Sequence, residues 1–146
     1  MRIIAVPLVL ALTAGCASKK PFVFTSIVPL PLEVTISCAA RQVNQLGYTI
    51  KQMDTTTGYL VAEKLTKSHM LGSIGGNSRY DLLTVSVSGA DSATRKMEVT
   101  AASDREDVTP MAVRRSPIRP SDQVQTDGGK VLSACNEVRK ATGPVP

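Results

Sequence analysis

The chain is poor in aromatic side chains, with no tryptophan, two phenylalanines and three tyrosines among 146 residues. Its core must rest on Val, Leu, Ile, Met and Ala, and for a single domain of this length that core is modest. Histidine is scarce too. His69 stands alone and the three cysteines are far apart, so no group has the spacing of a metal site, and no cofactor is expected. Long apolar runs are also missing. The longest, Ile3 to Leu12, is interrupted only by Pro7 and is about half of what a helix needs to cross a bilayer. The net charge is +5, but no basic run alternates with aromatic residues, which argues against nucleic acid as a partner.

The short apolar run reads as an address. Arg2 supplies a positive start, and Thr13, Ala14 and Gly15 are small residues suited to a cleavage site. Cys16 follows at once, and Leu12-Thr13-Ala14-Gly15-Cys16 resembles the lipobox of bacterial lipoproteins. That resemblance implies that residues 1–15 are a lipoprotein signal peptide and that the Cys16 thiol receives a diacylglycerol. It further implies that cleavage leaves Cys16 as the first residue, with its amino group acylated as well. Ala17 in place of an aspartate implies the periplasmic face of the outer membrane. Two or more acyl chains make a stable anchor where one is marginal. Lys19 and Lys20 either lie beside anionic head groups, adding about 1 kcal/mol each, or belong to a solvated tether.

Residues 16–30 contain Pro21 and Pro29 and lack helical periodicity, so they read as the lipidated cysteine and a flexible tether. A single domain is expected over residues 31–143. Pro31 and Glu33 suit the start of a helix, Leu32, Ile36, Ala39, Ala40, Val43 and Leu46 recur at helical spacing, and Gly47 ends it. Residues 47–54 and 59–65 read as strands joined by "DTTTG". "YDLLTVSVSG" and "RKMEVTAAS" alternate cleanly, with Leu83, Val85, Val87, Met97, Val99 and Ala101 on the apolar side. Residues 104–120 carry three prolines and are expected to form a long loop. A last helix follows Ser121 or Asp122, with Val124, Val131, Cys135 and Val138 on one stripe, Leu132 at its edge, and Gly128 and Gly129 interrupting it.

The expected fold is therefore α+β, a two-layer sandwich in which an N-terminal and a C-terminal helix pack on one face of a four-stranded antiparallel sheet. In element order, and in the rhythm from Gly47 to Glu63, it resembles the helix-grip domains of envelope lipoproteins such as those of BamC. Cys38 and Cys135 belong to an exported chain, where disulfides persist. They are either bridged, which needs the two helices side by side, or two buried free thiols.

Chemistry-bearing patterns are sparse. His69 sits in "TKSHMLGSIGGNSRY", expected to be a loop, where the default is a solvated side chain. "GSIGG" lacks the spacing of a nucleophile elbow and the lysine of a phosphate loop. Met70, Leu71 and Ile74 in the same loop either touch lipid or a partner, or fold over one end of the sheet. Arg114, Arg115 and Arg119 either meet phosphates or keep a proline-rich loop solvated. Asp104, Glu106 and Asp107 are close in sequence, as a general acid and base are, but nothing places them in a pocket and a polar turn explains them without chemistry.

The expectation for function is a non-enzymatic, lipid-anchored binding or scaffolding module of the bacterial cell envelope. Its partners are the membrane, through its anchor, and an envelope protein of unspecified identity. The alternative is a carrier that holds an apolar ligand or lipid between sheet and helices. A hydrolase using Ser73 and His69 ranks last.

Overall fold

The computed structural model describes residues 19–70, 75–89, 91 and 95–141. The elements are β1 (Phe22–Ile27), α1 (Leu32–Gln45), β2 (Thr49–Asp54), β3 (Tyr59–Met70), β4 (Gly76–Ser88), β5 (Lys96–Thr109), β6 (Ala112–Ile118) and α2 (Asp122–Ala141). The strands form one antiparallel sheet in the order β1-β5-β4-β3-β2, with β6 also paired to β5.

The sheet has six strands, and the expected four are corrected on two counts. The tether expected over 16–30 contains β1, whose Phe22-Val23-Phe24-Thr25-Ser26-Ile27 is rich in aromatic and β-branched residues and pairs with Lys96 to Ala101. The expected loop 104–120 is instead the second half of β5 and all of β6. Its prolines sit where a sheet tolerates them. Pro110 lies in the turn between β5 and β6, Pro117 is on the edge strand opposite Asp104, and Pro120 precedes α2. The expected loop around His69 is likewise strand: β3 continues to Met70 and β4 starts at Gly76, with a register shift between Leu65 and Lys67.

β5 serves two neighbours along one edge. Its first half, Lys96 to Ala101, pairs with β1, and its second half, Ser103 to Thr109, pairs with β6. β4 runs the whole length of the other edge.

Both helices lie on one face. Leu60, Ala62, Leu83, Val85, Met97, Val99 and Ala101 point into it and are fully buried with Ile36, Ala39 and Val43 of α1 and Val124, Val131 and Cys135 of α2. Each fully buried Leu, Ile, Val or Met contributes about 1.5–3 kcal/mol, which is how an aromatic-poor chain holds together.

α1 ends in a Schellman motif. The Tyr48 N–H donates to the Val43 carbonyl and the Gly47 N–H to that of Asn44, both at 3.0 Å, with Gly47 at φ 83°. The Lys64 ammonium donates to the Leu46 carbonyl at 2.8 Å, placing a cation at the negative end of the helix. α2 is capped by Ser121, whose Oγ accepts the Val124 N–H at 3.0 Å.

Gly128, which interrupts the apolar pattern of α2, is where that helix comes closest to the sheet. A Cβ there would lie 3.0 Å from Phe24 Cε2 and 3.3 Å from the Ala101 Cβ. The missing side chain lets the ring of Phe24 pack under the helix. Asn136 of α2 also donates to Ser26 of β1 at 2.8 Å, so β1 is held by α2 as well as by β5.

Candidate interaction surface

The helix-facing side of the sheet changes character at the pair Asp81 and Ser103. Rows nearer the helices' centre are apolar, whereas this row is polar yet buried, at 0% and 1% exposure. The Ser103 Oγ donates to Asp81 Oδ1 at 2.5 Å, and the Ser121 Oγ donates to Asp81 Oδ2 at 2.7 Å. Ser103 Oγ also accepts the Ser121 N–H at 3.1 Å. Both carboxylate oxygens and both hydroxyls are thus committed to joining β4, β5 and the start of α2. With its protons and lone pairs so used, neither serine is poised as a nucleophile.

Tyr48 continues this polar layer. Its hydroxyl donates to the buried Asp127 at 3.2 Å, and Gln123 donates to the other oxygen of Asp127 at 2.8 Å. Burial, and then the charges of Asp127 and Asp81, push the Tyr48 phenol far above its ordinary value, so it stays protonated and donating.

Beyond the Asp81 row the helices stop, but the strands continue. β3, β4, β5 and β6 project as a four-stranded ribbon, with exposed or half-exposed residues on both faces. On the side continuous with the helix-covered face stand Lys67, Arg79, Arg105 and Arg114. Arg105 donates to Asp107 at 3.0 Å and Arg79 to the Arg119 carbonyl at 3.1 Å.

The opposite, helix-free face carries an ion network. Glu63 accepts from Lys51 at 2.8 Å and from Arg115 at 3.2 Å, while Arg115 reaches Glu106 at 3.4 Å. The Arg115 guanidinium also lies 4.2 Å from the centre of the Tyr80 ring, a cation–π contact. Partial burial alone would raise the Glu63 carboxyl, but hydrogen bonds and charge from Lys51 and Arg115 outweigh it and hold the group below the usual carboxylate range. The same kind of pairing, with Glu63 and Glu106, outweighs the desolvation of Arg115 and raises its guanidinium.

The tip of the ribbon is apolar. Met111 in the turn is 98% exposed, and next to it Val113 is 64% and Val108 36% exposed. Val108 pairs with Val113 on one side and with Gly76 on the other, so the β5–β6 turn lies beside the start of β4.

The structure places the residues singled out in the sequence at several separate points. Cys16, Leu71, Ser73 and Ile74 lie outside the described residues. Lys19 and Lys20 are exposed just before β1, and Lys20 makes a contact of its own. Cys38 and Cys135 are joined by a disulfide with Cα atoms 5.8 Å apart, in the seam between α1 and α2. Met70 is the last residue of β3, and His69, exposed, is paired opposite Asn77. Arg114 and Arg115 are adjacent on β6 and point to opposite faces of the ribbon, while Arg119 follows the strand. Asp104, Glu106 and Asp107 are spread along β5, paired with β6, and do not converge on a pocket.

Sequence reasoning missed Val108, Met111 and Val113, which lie in a segment expected to be loop. Among the described residues, no group of three or more His, Cys, Asp and Glu side chains gathers as a metal site, and no helix is long and apolar enough to cross a membrane. Comparison with known proteins gives no matching family model and no curated protein similar enough to indicate common descent.

Proposed function

We propose that this protein is a non-enzymatic binding or scaffolding module of the bacterial cell envelope, anchored through lipid on Cys16 at the periplasmic face of the outer membrane. The observation that carries the reading is the ribbon beyond the Asp81 row. A four-stranded extension with water on both faces and exposed apolar residues at its end adds little to a core, and exposed apolar residues gathered at one place suit contact with another surface. Tethering supplies the mechanism: an anchor confines the domain to the membrane and raises its effective concentration for neighbouring proteins.

The carrier reading has less support. The helix–sheet interface is filled by fully buried side chains, and Gly128 brings α2 onto Phe24. Cavities of about 280 Å³ at the ribbon tip and about 400 Å³ along the outer side of α1 lie away from that interface.

In-cell crosslinking of the full-length protein, followed by mass spectrometry, tests the scaffold, with Cys16→Ser as the unanchored control. One abundant envelope protein that is lost from the control is the expected result. Enrichment of lipid or glycan alone would overturn the scaffold in favour of the carrier.

A further inference from the structure

We infer that the β5–β6 tip is a second membrane contact, a wedge of Met111, Val113 and Val108 that enters the head-group layer of an anionic phospholipid surface. This rests on the lipid anchor proposed at Cys16.

Strand direction and chain length carry the argument. β1 is antiparallel to β5, with Phe22 opposite Ala101 and Ile27 opposite Lys96, while β5 runs from Lys96 toward the tip at Thr109. β1 therefore runs away from the tip, and the chain before Phe22 leaves the sheet on the tip-facing side. From Cys16 to Phe22 is six residues, which span at most about 20 Å. From the level of Ala101 to Thr109 is eight residues of strand, about 27 Å.

The ribbon is thus longer than the tether. When the strands stand upright on the membrane and the tether is fully extended, the tip reaches past the anchored cysteine by about 7 Å, within the 5–10 Å depth at which interfacial apolar groups settle, and a shorter tether carries it further.

The chemistry of the tip fits that depth. Its end is apolar, with Met111 almost wholly in solvent. Behind it lies a basic belt of Arg114, Arg115, Arg105 and Lys67. Arg105 and Arg115 are engaged with carboxylates, whereas Arg114 and Lys67 have no carboxylate partner among the described residues. Long basic side chains behind an apolar end reach phosphates while their stems lie along lipid. Two points of contact, anchor and tip, would hold the sheet upright and turn its helix-free face sideways, toward neighbours on the same membrane.

The absence of tryptophan gives a clean test. Full-length, acylated Met111→Trp is reconstituted into vesicles of phosphatidylethanolamine and phosphatidylglycerol. Thr56→Trp, in the turn at the opposite end of the sheet, serves as the comparison. The expected result is emission shifted to the blue and quenched by chain-brominated lipid for Met111→Trp alone, with the shift reduced when phosphatidylglycerol is omitted. Mass of the intact protein and flotation with vesicles report the anchor separately. A Met111→Trp protein that carries the lipid mass and floats, but whose tryptophan emission stays water-like, overturns the wedge and leaves the anchor standing. A protein without the lipid mass overturns both.

Discussion

Asp81 of β4 and Ser121, the cap of α2, are hydrogen-bonded at 2.7 Å across 40 residues of sequence. The same serine hydroxyl accepts the Val124 N–H, one of the N–H groups the first turn leaves without a helical partner, so one side chain fixes both where α2 begins and which strand it rests on. The carboxylate has its second oxygen on Ser103.

Replacing Asp81 by alanine leaves these two hydroxyls without their acceptor in a buried site and is expected to cost about 2–4 kcal/mol. Ser121→Ala should cost less, about 1–2 kcal/mol, because Asp81 keeps Ser103. Urea unfolding of the two variants checks the order. Equal losses would mean that the cap, not the carboxylate, dominates.

The two glycines of α2 are expected to respond in opposite directions. Gly128→Val drives a branched side chain into Phe24 and Ala101 and should destabilise by about 1–3 kcal/mol. At Gly129 a Cβ meets nothing nearer than 4.0 Å, so Gly129→Ala should stabilise by about 0.5–1 kcal/mol through helix propensity. Thermal melts of both variants decide whether contact with β1 or propensity governs this turn.

Reduction of the Cys38–Cys135 bridge opens a loop with a sequence separation of 97 residues. A loss of about 2–5 kcal/mol is expected, visible as a lower melting temperature in dithiothreitol. A Cys38→Ser and Cys135→Ser double variant should melt at the same temperature with and without reductant.

Stability should fall at both ends of the pH range, for different reasons. Glu63 has a depressed folded value, so its contribution is complete above the ordinary glutamate value and is lost as pH falls through the folded one. Tyr48 has a raised value, so its contribution is complete below the ordinary tyrosine value of about 10 and declines as pH rises above it. Glu63→Gln should flatten the acid side of the profile and Tyr48→Phe the alkaline side. Denaturant midpoints measured across pH would show each limb separately.

The parts of the fold that bury one face were legible in the sequence. α1, α2 and the alternation from Leu83 to Val87 and from Met97 to Ala101 all announce themselves through apolar periodicity, because the helices cover that face. The ribbon sends no such signal. Residues 104–109 and 112–118 have solvent on both sides, so nothing in their side chains needs to alternate, and Pro110, Pro117 and Pro120 suggest a loop although they occupy a turn, an edge strand and the position before a helix cap. β1 was obscured in the same way, by Pro21 and Pro29 at its margins. The candidate surface was legible only in part. Arg114 and Arg115 stood out as charge, but the exposure of Val108, Met111 and Val113 depends on where the helices end, which no local pattern records.

The division of β5's edge between β1 and β6 has a mechanical consequence. Tension applied through the chain before Phe22 runs along the axis of β1, parallel to the strand it is bonded to. The β1–β5 hydrogen bonds are then loaded in shear, all together, rather than peeled apart one by one. Phe24 under Gly128 and Ser26 on Asn136 add resistance from α2. A domain held in this way takes a pull from its N-terminal side on its strongest axis, so the six-residue strand at the sheet's margin acts as its grip.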